Sequence, residues 1–306
     1  AERTICDFAG RRKNKSECVQ LKNRKEMKKI YCLCLACLLV SVLAAQSVKE
    51  LYIFHTNDMH SRIEPFASYF PDTVLAGKAG VLRRAAFVKE QRREHKDMLL
   101  FDSGDFSQGS PYYNLFKGEV EIKMMNEMGY DAGTIGNHEF DFGLDNMARL
   151  FKMANFPIVC ANYDVTGTVL EGLVKEYTVI ERDGIRIGVF GLGPELDGLV
   201  AHANYGNVKF EDPVSEGQRV ADLLKNQEHC DLVICLSHLG WKGEPYSDIE
   251  LIENTRNIDI VLGGHSHSFF EGPEFYKNLD GIEVPVQQMG KSAVFVGRMV
   301  VKMQKN

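Results

Sequence analysis

Residues 131–141 read DAGTIGNHEFD, a short apolar run that passes directly into an amide, an imidazole and two carboxylates. The run 131–135 is predicted as a strand, and Gly136 lets the backbone turn sharply and come close to whatever is bound. Asn137 offers a neutral oxygen to a cation already crowded with anions. Taken alone, GNHEFD fits a tight turn, with Asn137 at positive φ and His138 bonded to a carbonyl, equally well. Its neighbours along the chain decide between the two.

Outward from this stretch one theme repeats: a short run rich in β-branched or aromatic residues, a polar loop, then a helix-compatible segment. Strands are predicted at 51–55, 98–101, 131–135, 157–161, 232–236 and 258–262, and helices at 80–94, 120–128, 144–153, 215–228 and 248–254. That alternation predicts an α/β fold. Two regions break it: 176–192 reads as a hairpin turned at Asp183-Gly184, and 284–303 as strand, Gly290 turn, strand. A mixed sheet, or two sheets face to face, follows. No repeat or Pro/Ser linker interrupts residues 48–306, which read as a single domain.

At 306 residues, 44% hydrophobic and 25% charged, the chain can bury a full core, which excludes disorder. Ten Lys and Arg against four Asp and Glu lie before residue 30, leaving 26 against 38 and a charge near −12 for the rest. So acidic a body argues against binding a nucleic-acid duplex through its phosphates and suits a protein that gathers cations.

Residues 27–47 read MKKIYCLCLACLLVSVLAAQS, two lysines ahead of 16 apolar residues and small residues at the end. This is the layout of a secretory signal peptide at 27–45, shorter than the ~20 residues of a spanning helix, and it predicts a periplasmic or secreted protein with no membrane attachment after cleavage. Residues 1–26 are basic and aperiodic and read as an upstream extension, with Met27 the expected start. Five of the eight cysteines precede residue 38; Cys160, Cys230 and Cys235 sit in or beside apolar runs and are expected as buried free thiols.

The polar residues gather beyond strand ends. HTNDMH supplies Asp58 and His60, DSGDFSQGS supplies Asp102 and Asp105, and SHLG and GGHSH supply His238, His265 and His267. Open α/β sheets build their sites at the carboxyl ends of strands, and five strands contribute here. Each piece has a plainer reading: a DxH pair in a surface loop, Asp105 as a turn former, His238 as a core histidine. His265 and His267, as alternate residues of an extended segment, are expected to point the same way and bracket one ion.

Together the imidazoles, carboxylates and amide suit zinc, manganese, iron or cobalt better than calcium. Asp58, His60, Asp105, Asn137, His238, His265 and His267 are too many ligands for one tetrahedral ion, and they suit two divalent ions about 3.5–4 Å apart. His138 remains to donate a proton or stabilise phosphoryl charge, oriented by Asp141. Glu139 receives no role and is expected to point away from the metals. Met124, Met125 and Met128 fall at helical spacing and read as core, and Trp241 as packing.

The pattern DxH, GD, GNHE, H and GHxH resembles the calcineurin-like metallophosphoesterase superfamily, and HTNDMH, GNHEFD and GGHSH resemble the amino-terminal catalytic domain of bacterial secreted 5′-nucleotidases, UDP-sugar hydrolases and 2′,3′-cyclic-nucleotide phosphodiesterases. The resemblance implies a four-layer sandwich of two mixed β-sheets flanked by helices. It implies one ion on Asp58, His60 and His267, a second on Asn137, His238 and His265, Asp105 bridging, and His138 with Asp141 as the catalytic pair. Some relatives carry glutamine at the position of His267.

The implied activity is hydrolysis of phosphate monoesters, 5′-nucleotides first, by a metal-bridging hydroxide. The alternatives are a phosphodiesterase, a nucleotide-sugar pyrophosphatase, or the catalytic half of a split enzyme. Full-length relatives carry a C-terminal nucleotide-binding domain that this chain is expected to lack, which suggests a separate partner protein or a broader phosphoester substrate.

Overall fold

Residues 53–56 are fully buried, the pattern of a strand covered on both faces. The same holds for LLFD and LVICLS, and these runs become the inner strands of the protein, whose computed structural model describes residues 27–29, 48–243 and 245–304. Segment 27–45 is outside the described residues apart from 27–29. In chain order the elements are β1 (Val48–Thr56), α1 (Val81–Glu94), β2 (Leu99–Asp102), α2 (Pro111–Phe116), α3 (Glu119–Met128), β3 (Ala132–Gly133), a 3₁₀ turn (His138–Phe142) and α4 (Gly143–Met153). There follow β4 (Ile158–Val159), β5 (Tyr163–Asp164), β6 (Val174–Lys175), β7 (Tyr177–Arg182), β8 (Ile185–Leu192), α5 (His202–Tyr205), β9 (Lys209–Phe210) and α6 (Pro213–Asn226). The chain then forms β10 (Leu232–Ser237), α7 (Asp248–Glu253), β11 (Ile260–Leu262), β12 (Glu274–Lys277), β13 (Glu283–Gln287) and β14 (Gly297–Gln304). Leu51–Val301 is one unit and contains every candidate site residue; 1–50 with 302–306 is the other.

Twelve of the strands form two mixed six-stranded sheets flanked by helices, and β5 and β9 pair antiparallel as a small third sheet. The first has the order β14-β1-β2-β3-β4-β6 and is parallel from β1 to β6. In the second, β12-β13-β11-β10-β8-β7, the four inner strands are parallel and β12 and β7 pair antiparallel at the edges. Each large sheet has its own core. Phe54, Leu100, Ile122, Met125, Met128, Leu150 and Phe151 bury together on one side, and Phe190, Val220, Leu224, Val233, Leu251 and Val261 on the other. Each such aliphatic or aromatic side chain stabilises the fold by about 1.5–3 kcal/mol.

The large sheets meet where β8 passes β4. Ala161 N–H donates to Gly191 O at 2.8 Å, and a Cβ on Gly191 would overlap the Val159 carbonyl oxygen and Thr134 Oγ1. Only glycine allows that approach.

Helix starts follow local chemistry. Asp212 caps α6 by accepting from Ser215 N at 2.7 Å with Pro213 in the first turn, and Ser247 caps α7 from Glu250 N at 3.2 Å. Cys160, Cys230 and Cys235 are buried and unpaired, as expected. Among the described residues no helix is long and apolar enough to cross a membrane.

Segment 284–303 takes its expected form of strand, Gly290 turn and strand. Its strands β13 and β14 lie in different sheets, joined by a loop that turns at Gly290 (φ 72°) and holds Ser292 and Ala293 in the left-handed region. The 176–192 hairpin does form, as β7 and β8.

Candidate metal centre

The site grows from parallel strands that end side by side. β1 releases the loop carrying Asp58 and His60, β2 the loop carrying Asp105, and the segment after β3 carries Asn137 and His138. From the second sheet, β10 releases His238, and β11 the loop carrying His265 and His267. Two loops of the first sheet are laced together: Asp58 N–H donates to Gly104 O, His60 N–H to Asp105 O and Ser61 N–H to Phe106 O, each at 2.9 Å. This lacing holds Asp58, His60 and Asp105 at φ 47°, 44° and 56°. A left-handed non-glycine residue costs roughly 1–3 kcal/mol, so strain is concentrated here.

Three His Nε2 atoms and two carboxylates converge. His267 Nε2 lies 3.3 Å from Asp58 Oδ1 and 3.1 Å from His60 Nε2, while His238 Nε2 lies 3.2 Å from Asp105 Oδ2. His60 Nε2 is 3.8 Å from both Asp58 Oδ1 and Asp105 Oδ2. Three groupings could each hold an ion: Asp58, His60 and His267; Asp105, His238 and His265; and Asp105, His60 and His138. His265 and His267 thus fall into different groups. They do not lie on an extended segment and bracket one ion, because both are left-handed (φ 69° and 53°) and the loop coils between them.

The donor set fits cations. His238 Nδ1 faces Ser103 O at 2.6 Å and donates to it, which turns the Nε2 lone pair towards Asp105. Nε2 is buried without a hydrogen-bond partner, as is Asn137 Oδ1. A Cβ on Gly136 would overlap Asp105 Oδ1 and sit 2.8 Å from His238 Nε2, so only hydrogen keeps this space open. Burial lowers the His238 pKa, but Asp105 and Asp58 overcome it and raise it to about 10, so without an ion Nε2 carries a proton, which a bound cation would have to displace. His60 and His265 are pushed down to about 4, chiefly by burial, and are neutral as ligation requires.

Asn137 is right-handed (φ −72°) and starts the 3₁₀ turn, so the left-handed-Asn turn does not form. His138 lies beside the converging groups, its N–H donating to Asp105 Oδ1 at 2.9 Å and its Nδ1 3.1 Å from Asp141 Oδ2. The Asp141 bond is the main cause that raises the His138 pKa, against partial burial.

Glu139 turns inward rather than away. It is 1% exposed, and its carboxylate accepts from Gly136 N at 2.7 Å, Asp105 N at 3.0 Å and Ser107 N at 3.1 Å. Burial and the Asp105 charge push its carboxyl up to about 7, against those three donors. Three more positioning groups escaped the sequence reading. Asn57 donates to Asp58 Oδ2 at 2.6 Å and Gly290 O at 2.9 Å; Ser103 Oγ donates to Leu262 O at 2.7 Å; Gln288 donates to Gly264 O at 2.7 Å. Asn57 and Ser103 each lie within a motif already singled out, and that adjacency was the available signal. Asp102 is buried and accepts from Thr56 Oγ1 at 2.6 Å, a bracing rather than an open carboxylate.

Residues 51–269 match the calcineurin-like phosphoesterase family. The chain belongs to that family. As a calcineurin-like phosphoesterase it belongs with proteins that use a divalent metal centre, and its His and Asp clusters could bind such ions. It is similar to the snake venom 5′-nucleotidase of Gloydius brevicauda, 32% identical over 272 residues that cover 82% of this chain and 45% of the relative. It is also similar to the 2′,3′-cyclic-nucleotide 2′-phosphodiesterase/3′-nucleotidase of Haemophilus influenzae, 33% identical over 251 residues covering 75% of this chain and 38% of that protein. The crystal structure of a 5′-nucleotidase precursor from Thermus thermophilus superposes with a TM-score of 0.74 and 31% identity, over 83% of this chain and 51% of the other. The chain spans about half the length of the curated relatives it matches.

Proposed function

We propose that this calcineurin-like phosphoesterase hydrolyses phosphate monoesters, with 5′-nucleotides as the first substrates to test. The observation that carries the reading is the convergence of unpartnered His and Asn ligand atoms with Asp58 and Asp105 beside the His138–Asp141 pair. Asp58, His60 and His267 would hold one divalent ion and Asn137, His238 and His265 a second, with Asp105 shared between the two groups. Zinc, manganese, iron and cobalt all suit this set. When bound, the ions supply Lewis-acid polarisation of phosphoryl oxygens and a water made acidic enough to attack near neutral pH.

The chain's own part is positioning and proton transfer. Ser103 O fixes the His238 tautomer, and Glu139 holds the Asp105 and Gly136 loops in register. The Asp141 carboxylate holds the His138 ring through Nδ1 and favours its protonated form. His138 then stabilises charge on the phosphoryl oxygens or protonates the leaving oxygen, worth roughly 10²–10⁴ in rate. Phosphodiester cleavage is the second reading, favoured by the name of the Haemophilus influenzae relative. The signal-like segment 27–45 supports a reading in which the protein works in the periplasm or outside the cell.

The test is phosphate release from nucleotides, sugar nucleotides and cyclic nucleotides with added manganese, zinc or cobalt. Turnover of a 5′-nucleotide that His138→Ala cuts 10²-fold or more, with ion content retained, supports the reading. Ion binding without turnover on any phosphoester, alone or with a partner domain, defeats it.

A further inference from the structure

The start of α1 borders a cavity of about 360 Å³ that uses none of the candidate ligands. Lys78, Gly80, Arg83, Arg84 and Phe87 line one wall, and Phe295 projects from the other. The volume is at the small end of the ~300–1,000 Å³ range of ligand pockets. No carboxylate lines it among the described residues.

Arg84 is the informative group. It is 7% exposed, and its Nε and Nη1 are buried without a hydrogen-bond partner. Burying a guanidinium whose N–H groups lack partners is costly, and a negative charge placed nearby in the cavity would offset part of that cost. Arg83 beside it is satisfied differently, with Nη1 donating to Gly77 O. Gly80 gives α1 no side-chain cap, so the positive end of a 14-residue helix adds to the field of the same wall. Phe87 and Phe295 are 36% and 39% exposed and offer apolar ring surface.

We propose that this cavity is a second ligand site, which takes a small ring-bearing phosphate, phosphonate or sulfate through the Arg84 guanidinium, with its ring against Phe87 and Phe295. The site is independent of the ion cage. Arg84 supplies a fixed positive charge in the wall and Lys78 a point charge at the rim.

The test is calorimetric titration of the ion-loaded chain with phenylphosphonate, a non-hydrolysable ring-bearing anion. The expected result is binding that persists in Asn137→Ala, a cage variant. Arg84→Met and Lys78→Glu should each weaken it by roughly tenfold or more, with turnover of 4-nitrophenyl phosphate unchanged. Thermal melts check that each variant is folded, and Lys78→Glu, at an exposed position, carries the test if Arg84→Met is not. No binding beyond what Asn137→Ala removes overturns the proposal, as does binding that the folded basic-residue variants leave at wild-type strength. Loss of turnover in Asn137→Ala bears only on the cage, so the two readings fail separately.

Discussion

Replacing Glu139 by glutamine tests whether an internal carboxylate sets the geometry of the ion cage. In the native chain Oε2 accepts from Gly136 N and Asp105 N, and Oε1 from Ser107 N. Glutamine has the same size but only one acceptor oxygen. That oxygen can keep the Gly136 and Asp105 bonds, and its NH₂ then faces the Ser107 N–H, donor against donor. The two retained bonds each lose about 1 kcal/mol with the charge, and the stranded N–H costs a further ~1–3 kcal/mol. Part of this is offset because a neutral amide needs less solvation than a buried anion, so the net loss should be about 2–4 kcal/mol. Urea unfolding of metal-stripped protein measures it. Since Gly136 and Asp105 both form the cage, ion affinity should fall roughly 10–100-fold, read by competition with a chelating dye. A variant within about 0.5 kcal/mol of wild type and with unchanged affinity would refute the assignment of Glu139 as the strut of both loops.

Three further outcomes follow from other contacts. The raised His138 pKa means the Asp141 pairing contributes stability fully below pH 6.5 and loses it as pH rises through the folded value; Asp141→Asn should move the His138 ring titration down in NMR of the metal-stripped chain, and no downward movement sinks the pairing. In the loaded enzyme the same variant should shift the alkaline limb of the rate profile to lower pH. Gly191→Ala forces a methyl group onto the Val159 carbonyl and Thr134 hydroxyl and should cost at least about 1–3 kcal/mol by denaturant unfolding, whereas Gly272→Ala, with open space around it and no positive φ, should cost less. Chelation should lower the melting temperature and manganese or zinc restore it, because ions at 100 times Kd stabilise by about 2.7 kcal/mol; a melting temperature indifferent to ions refutes the cage.

Much of this architecture was legible because the inner strands announce themselves. LYIF and LVICL are unbroken apolar or aromatic runs, and a strand buried on both faces has little freedom to read otherwise. The candidate ligands were legible for a related reason, since each follows such a strand within a few residues. Less legible were the two-residue strands β5, β6 and β9, which owe their pairing to tertiary contact and carry no period of their own. Segment 284–303 read correctly as strand, turn and strand, but alternation does not specify a strand's partner, and its two strands lie in different sheets. His265 and His267 misled because i, i+2 spacing implies a common direction only in extended backbone, and both residues are left-handed. Glu139 was missed because its partners are backbone N–H groups, which leave no trace in side-chain spacing.

Ser103 donates its hydroxyl to Leu262 of the second sheet and its carbonyl receives the ring N–H of His238, so one residue of the first sheet orders the ligand loops of the other. The cage is therefore a joint product of segments up to about 207 residues apart in sequence, as in the contact of His60 with His267. Under the proposed assignment, neither half carries the full ligand set of either ion. Folding must bring both sheets together before the cations find their full ligand set, and such long loops close late. Divalent ions should then slow unfolding strongly and leave the refolding rate nearly unchanged, which makes the metals a lock on the finished molecule and not a template for its assembly.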